Sequence, residues 1–352
     1  MSKAIIHYFS GTGNTLLAAK QLSQELVRYG YDIVLHAVES GSHDGMDVYF
    51  LHVFFFPIYA TAVPHIMRRY IQNLPDGKNV KTAIISTNGK ISTRFRDGYQ
   101  GWALHQARLY LRLKNYQVFF SDTLDYPHNI TVALPPRKDR DNEKIIAQAS
   151  MKYPMIAKKI AKGQQFHRKF FLPNIIWSLP FGFLYSFIGR RIIGKLFAAD
   201  SSCGLCGRCA KECPVKAIEI HSRVVRWKWN CEGCLHCMNI CPRHAIQASG
   251  IRYLAILAVV FFNPLFLIGK FIPSGFFQSF GKLGSIILGR VMNPVLSIIM
   301  FVLLDWIIYQ ISYVPVFKKI AGWGYTGFFG RYSADRFEGK FLNQKGPFFK
   351  IF

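Results

Sequence analysis

The sequence predicts an α/β chain: an open five-stranded parallel sheet, then a small cysteine-rich α+β domain, then an apolar helical segment. Three observations carry this. Short apolar runs alternate with helix-patterned stretches over residues 1–165. All eight cysteines fall between Cys203 and Cys241. Beyond residue 250 the chain turns strongly apolar.

The segments KAIIHYF (3–9), VYFLHVFFF (48–56) and VKTAIIS (80–86) read as strands buried on both faces. Weaker strands are expected near 31–37 and 116–121, with helices near 14–29, 64–74, 98–114 and 142–163. Residues 1–165 thus form the first domain, 166–199 an apolar connector, 200–249 the cysteine domain and 250–352 a hydrophobic helical segment with a basic tail. The chain has 352 residues, 51% of them hydrophobic, which excludes a disordered protein. Lys and Arg number 44 against 19 Asp and Glu, a formal +25 that calls for an anionic partner. No RNP, KH or zinc-finger pattern is present and the aromatics sit in apolar runs, so no nucleic acid is expected. The N-terminus has no signal-peptide pattern, which puts the first domain on the cytoplasmic side.

Within 200–249, CGLCGRCAKECPVKAI recurs 28 residues later as CEGCLHCMNICPRHAI. Each copy reads C-x2-C-x2-C-x3-C-P. Structural zinc sites use two separated C-x2-4-C pairs, and four cysteines within eleven residues do not fit that plan. The spacing resembles that of two-cluster ferredoxins, in which the fourth cysteine of each run ligates the other cluster. The resemblance implies two [4Fe-4S] clusters. One would be held by Cys203, Cys206, Cys209 and Cys241, the other by Cys231, Cys234, Cys237 and Cys213. Gly204, Gly207 and Gly233 are expected to let main-chain amides approach the sulfides, and His236 to be a surface or packing residue.

After the first strand comes FSGTGNT, followed by a helix. Gly11 and Gly13 leave room for a phosphate, Ser10, Thr12, Asn14 and Thr15 offer side-chain donors, and the helix N-terminus favours negative charge. The loop lacks the G-K-[ST] of a nucleotide-triphosphate loop and the G-x-G-x-x-G of a dinucleotide site. S-G-T-G-N-T at this position resembles the flavodoxin family, which implies FMN bound at the strand ends. By position, the flavin ring would lie between FPIYATAVP (56–64), with Pro57 and Tyr59, and STNGK (86–90), with Thr87, Asn88 and Gly89. Tyr59 is the candidate for stacking on the ring. Lys90, Arg94 and Arg96 would add positive field, and Tyr99 and Trp102 follow the second ring loop.

Together the two motifs resemble the EFR-type flavodoxin–ferredoxin fusion proteins over residues 1–249. The resemblance implies electron transfer between a low-potential donor, such as a ferredoxin or other redox protein, and an acceptor. Two alternatives are a flavin reductase of a quinone, isoprenoid or other lipid-soluble substrate, and a redox sensor. The connector has no formal charge over 170–189, but Pro173, Pro180 and Gly182 are expected to interrupt a helix there, so it reads as interdomain packing or an interfacial helix. Arg190, Arg191 and Lys195 would then suit a headgroup surface. The stretches 251–272 and 283–317 suit a membrane hairpin that leaves Lys318, Lys319, Arg331, Arg336, Lys340, Lys345 and Lys350 on the cytoplasmic side of an anionic membrane; the alternative is a cytoplasmic hydrophobic subdomain or partner-docking surface. Asp305 needs a partner in either setting.

Overall fold

The computed structural model describes residues 2–41, 45–90, 100–169, 172–261, 281–314, 320, 322–326, 329 and 331–334. Strands β1 (Ser2–Tyr8), β2 (Tyr31–Ala37), β3 (Leu51–Pro57), β4 (Lys81–Lys90), β5 (Gln117–Pro127) and β6 (Phe166–His167) form one sheet in the order β2-β1-β3-β4-β5-β6. Every pairing is parallel. The first five strands follow the flavodoxin-like doubly wound order, with its switch point between β1 and β3. The sheet has one strand more than the five expected. Phe166 opens the connector by packing on Phe120 (ring centroids 5.5 Å apart) beneath the Lys159 ammonium, and this two-residue strand pairs alongside β5 at the sheet edge.

Neighbouring strand residues feed opposite faces. Ile6, Val53, Phe55 and Ile85 pack with helices α1 (Asn14–Val27), α4 (Asp139–Ser150) and α5 (Tyr153–Ala161). Ile5, Phe54, Phe56 and Ile84 pack with α2 (His65–Asn73) and α3 (Ala103–Arg112). Phe54, Phe55 and Phe56 are all fully buried, each contributing about 2–3 kcal/mol. The helix expected over 142–163 is two helices, because Pro154 starts a new one at its first turn.

The connector departs most from expectation. It is helical through Pro180: α6 (Leu172–Leu184) runs into a π-helical turn, Tyr185–Gly189, and then α7 (Arg190–Leu196). Tertiary contacts outweigh the local cost. Thr61 Oγ1 donates to Ser178 O (2.7 Å), and a Cβ on Gly182 would lie 3.0 Å from Ala62 Cβ.

The cysteine domain uses β7 (Phe197–Ala199) antiparallel to β10 (Ile246–Ala248), and the hairpin β8 (Ile218–His221) with β9 (Val224–Trp227). Short helices α8 (Arg208–Lys211) and α9 (His236–Ile240) close the two cysteine loops over Phe197, Ala217, Trp227 and Met238. Helices α10 (Gly250–Phe261) and α11 (Gly281–Ile311) pack on each other and on this domain. Asp305 accepts from Arg252 (2.5 Å) and pairs with Lys195 (2.7 Å), so its partners are structural. Arg190 likewise pairs with Glu232 (3.4 Å), which removes Arg190 and Lys195 from any headgroup role and leaves Arg191 exposed. Residues 262–280, which would turn the hairpin, and Lys318, Lys319, Arg336, Lys340, Lys345 and Lys350 lie outside the described residues. Among the described residues no helix is long and apolar enough to cross a membrane.

Candidate functional site

The loop Ser10–Thr15 lies at the carboxyl end of β1, held to β3 by the bond from Phe9 N to Phe55 O (3.1 Å). Ser10 Oγ accepts from Gly13 N (3.1 Å), and Gly13 takes a left-handed φ of 92° to start α1. No side chain caps that helix, so its first N–H groups remain available to an anion. The polar side chains of the loop are engaged elsewhere. Asn14 donates to Pro127 O (2.8 Å) and accepts from the Tyr332 hydroxyl. Thr12 Oγ1 accepts from Asn129 (2.9 Å), Thr15 Oγ1 bonds Thr87 Oγ1 (2.8 Å), and Thr12 O accepts from Ala334 N (2.9 Å). The anion-binding capacity of the loop therefore rests on main-chain N–H groups more than on the side chains the sequence singled out.

Pro57 ends β3 opposite Thr87. Thr87, Asn88 and Gly89 are not in a loop: β4 continues to Lys90 because β5 pairs with it as far as Pro127. Asn88 donates to Asp125 Oδ1 (3.1 Å), and Lys90 sits 3.6 Å from the same carboxylate, which offsets its charge. Trp102 stacks on His105. Arg94, Arg96 and Tyr99 lie outside the described residues. Tyr59 turns inward at the Tyr59–Ala62 bridge. Its hydroxyl is buried without a hydrogen-bond partner, wedged where a Cβ on Gly11 would meet Tyr59 Oη at 2.7 Å and Cys234 O at 2.4 Å. Burial, and then the Cys234 thiolate, push the phenol well above its ordinary range.

This contact joins the phosphate loop to the cysteine domain. His236 Nδ1 donates to Gly11 O (2.7 Å), and Glu232 Oε1 accepts from Ile66 N of α2 (2.8 Å). His236 is thus a bridge between domains.

Cys203, Cys206, Cys209 and Cys241 line one cavity of about 100 Å³. Cys213, Cys231, Cys234 and Cys237 form a second, buried group whose charges act on one another. The N–H groups of Ala217, Ala245 and Gly233 point at the sulfurs of Cys213 (3.3 Å), Cys241 (3.3 Å) and Cys231 (3.5 Å). A Cβ on Gly204 would lie 2.8 Å from the exposed Arg243 guanidinium. All eight thiols are free. Burial pushes Cys209 up to about 11 and Cys231 up to about 12. Such thiolates need a metal to hold them deprotonated. Among the described residues no three His, Cys, Asp or Glu side chains are close enough for a single metal ion. Four cysteines to each group are the ligand set that a cubane takes. Buried donors beside the cysteines fit the same group. The Tyr59 hydroxyl finds no acceptor. Trp227 Nε1 lacks one too, though its dipole favours the Cys237 thiolate.

Residues 195–242 match the family model described as a 4Fe-4S dicluster domain, which places the two cysteine groups in iron–sulfur chemistry. No curated protein matches the chain. Among solved structures, a short-chain flavodoxin associated with a bacterial microcompartment is 11% identical, covers 47% of this chain and 100% of its own, and has a TM-score of 0.34. Oxidised flavodoxin 2 from Bacillus cereus is 15% identical over 46% of this chain and 99% of its own (TM-score 0.34). An azoreductase from Bacillus anthracis is 10% identical over 45% of this chain and 100% of its own (TM-score 0.33). The assignment of a flavodoxin-like sheet rests on the strand order and parallel pairing above.

Proposed function

We propose that the chain is an iron–sulfur flavoprotein that relays electrons between a solvent-facing cluster site and an FMN site. Cys203, Cys206, Cys209 and Cys241 would hold one [4Fe-4S] cluster, Cys231, Cys234, Cys237 and Cys213 the other, and the N–H groups of Ser10–Thr15 the FMN phosphate. When bound, clusters exchange single electrons and a flavin takes one or two, so a chain holding both interconverts the two regimes. The observation that carries the reading is the contact of Gly11 with the Cys234 main chain, tightened by His236. It brings the second cysteine group against the phosphate loop with Tyr59 between them, while the first group faces solvent through the exposed Cys206.

Exposed Arg208 and Arg243 line the cavity of that first group, and exposed Lys211 lies on the same short helix as Cys209, which supports docking of an acidic one-electron carrier such as a ferredoxin. A lipid-soluble acceptor is favoured by a separate observation. α6 packs on the Tyr59–Ala62 turn and exposes Phe181, Phe183 and Leu184, and the π-helical turn after it exposes Phe187, with Arg68 over the Phe187 ring and Arg69 and Arg191 exposed nearby. An apolar face rimmed by arginines suits the surface of an anionic membrane.

Protein purified without oxygen is expected to contain about eight iron and eight acid-labile sulfide per chain, with one FMN. Zinc without sulfide would sink the cluster assignment, and cluster-replete protein that takes up no FMN would sink the flavin assignment. Sedimentation with anionic, but not neutral, vesicles tests the membrane surface. Turnover with a panel of protein and quinone acceptors separates carrier from reductase.

A further inference from the structure

The C-terminal segment was expected to be a basic tail facing the cytoplasm, yet Arg331 is only 4% exposed. Its Nη2 donates to His244 O (3.2 Å) and Ile246 O (2.9 Å), the carbonyls on either side of Ala245. Ala245 N in turn points at Cys241 Sγ (3.3 Å). The next residue, Tyr332, donates its N–H to Asn239 Oδ1 (2.9 Å), midway between Cys237 and Cys241. The segment is thus pinned across the start of the Cys241 loop and the helix that carries Cys237. Among the described residues, Nε and Nη1 of Arg331 are buried without a hydrogen-bond partner, and the partners of Nη2 are main-chain carbonyls.

A buried guanidinium is costly unless a negative charge faces it. The groups whose charge acts on Arg331 are Cys241, Asp200 and Cys237. Arg331 bonds the carbonyls beside the Cys241 contact and its neighbour Tyr332 is held by the helix that carries Cys237, so the cation lies beside cysteines of both groups. We propose that Arg331 is the shared counter-ion of the two cluster sites, a positioning residue that holds positive charge between them and raises the potential at which each accepts an electron. Reduction adds one negative charge to a cluster, and a fixed cation in a low-dielectric setting favours that state. The effect should be larger at the site containing Cys241, because the carbonyls Arg331 holds flank Ala245, whose N–H points at Cys241 Sγ. This inference rests on the cysteine assignment above.

The test compares anaerobically purified Arg331→Gln, Arg331→Lys and Tyr332→Phe proteins with the parent by EPR-monitored redox titration, with iron and sulfide measured on the same samples. Arg331→Gln is expected to keep its clusters and shift their midpoint potentials downward, more at one site than the other. Arg331→Lys should shift them less. Tyr332→Phe removes the hydroxyl that reaches Asn14 and keeps the charge, so its potentials should match the parent. Coincident potentials in Arg331→Gln and the parent would overturn the proposal, as would a Tyr332→Phe shift of equal size. Equal loss of iron from the Gln and Lys variants would also overturn it, since packing alone would then explain the residue. Absence of clusters in the parent would instead refute the cysteine assignment.

Discussion

The two cysteine runs share a backbone and differ in what surrounds it. Residues 28 apart adopt matching left-handed angles: Leu205 and Gly233 at φ 53° and 64°, Gly207 and Leu235 at 74° and 62°, Lys216 and His244 at 50° and 51°. The loop conformation is therefore fixed by the cysteine spacing, and a leucine accepts the strain in one copy where a glycine removes it in the other. Burial breaks the symmetry. Cys206 is exposed with Cys203 and Cys209 half-buried, whereas Cys231, Cys234 and Cys237 are all buried. One repeat faces partners and the other faces the phosphate loop. The largest expected effect exploits this. A methyl group on Gly194 would lie 2.4 Å from Cys231 Cβ and 2.8 Å from its Sγ, so Gly194→Ala should abolish the second site and lower iron to about four per chain. Gly207→Ala meets no atom within 4 Å and pays only for its left-handed φ, about 1–2 kcal/mol, so iron content should hold. Equal iron loss in both variants would break the comparison.

The next effect concerns coupling. Gly11→Ala drives a methyl into Cys234 O and the Tyr59 hydroxyl, and main chain cannot yield as a flexible side chain would. The variant should keep its clusters but lose at least tenfold in the rate at which reduced clusters bleach bound flavin, read by stopped-flow absorbance. His236→Leu removes only the bond to Gly11 O and should cost less. If both rates equal the parent's, the buried repeat is not the one that serves the flavin. Smaller still is the order of cluster loss. On limited exposure to oxygen or an iron chelator, the EPR signal of the solvent-facing site should fade several-fold faster than that of the buried site. Simultaneous loss would mean that burial does not distinguish them.

Much of this was legible because spacing is local. The cysteine repeat, the glycines of the phosphate loop and the strands predicted over 3–9 and 48–56, found at Ser2–Tyr8 and Leu51–Pro57, each carry their signal within a few residues. What escaped depends on partners distant in the chain. Asn14 is held by Pro127 and Tyr332, Glu232 by Ile66, and Gly11 is small because of Cys234. No window around any of these residues contains its reason. Asn129 had one available signal, its place just past the carboxyl end of β5, where open sheets gather their ligand loops. The helix through Pro180 was misjudged for the opposite reason. Local propensity spoke against it, and contacts with Thr61 and Ala62 prevailed.

The smallest effect separates the repeats by charge. Arg208 makes an exposed pair with Glu212 (2.9 Å), Arg243 lines the same cavity, and Lys211 lies open on the short helix that carries Cys209. Exposed charges steer association and add little to stability, so changing them should alter the rate of electron entry and leave the fold intact. Lys211→Glu with Arg243→Glu is expected to slow reduction by an acidic ferredoxin several-fold at low salt. The deficit should shrink as ionic strength rises and the Debye length falls from about 30 Å at 0.01 M to about 10 Å at 0.1 M. Reduction by dithionite, a small reagent that needs no docking surface, serves as the control. If charge reversal leaves ferredoxin-driven reduction unchanged at every salt concentration, electrons enter elsewhere, and the exposure of the first repeat has no bearing on its partner.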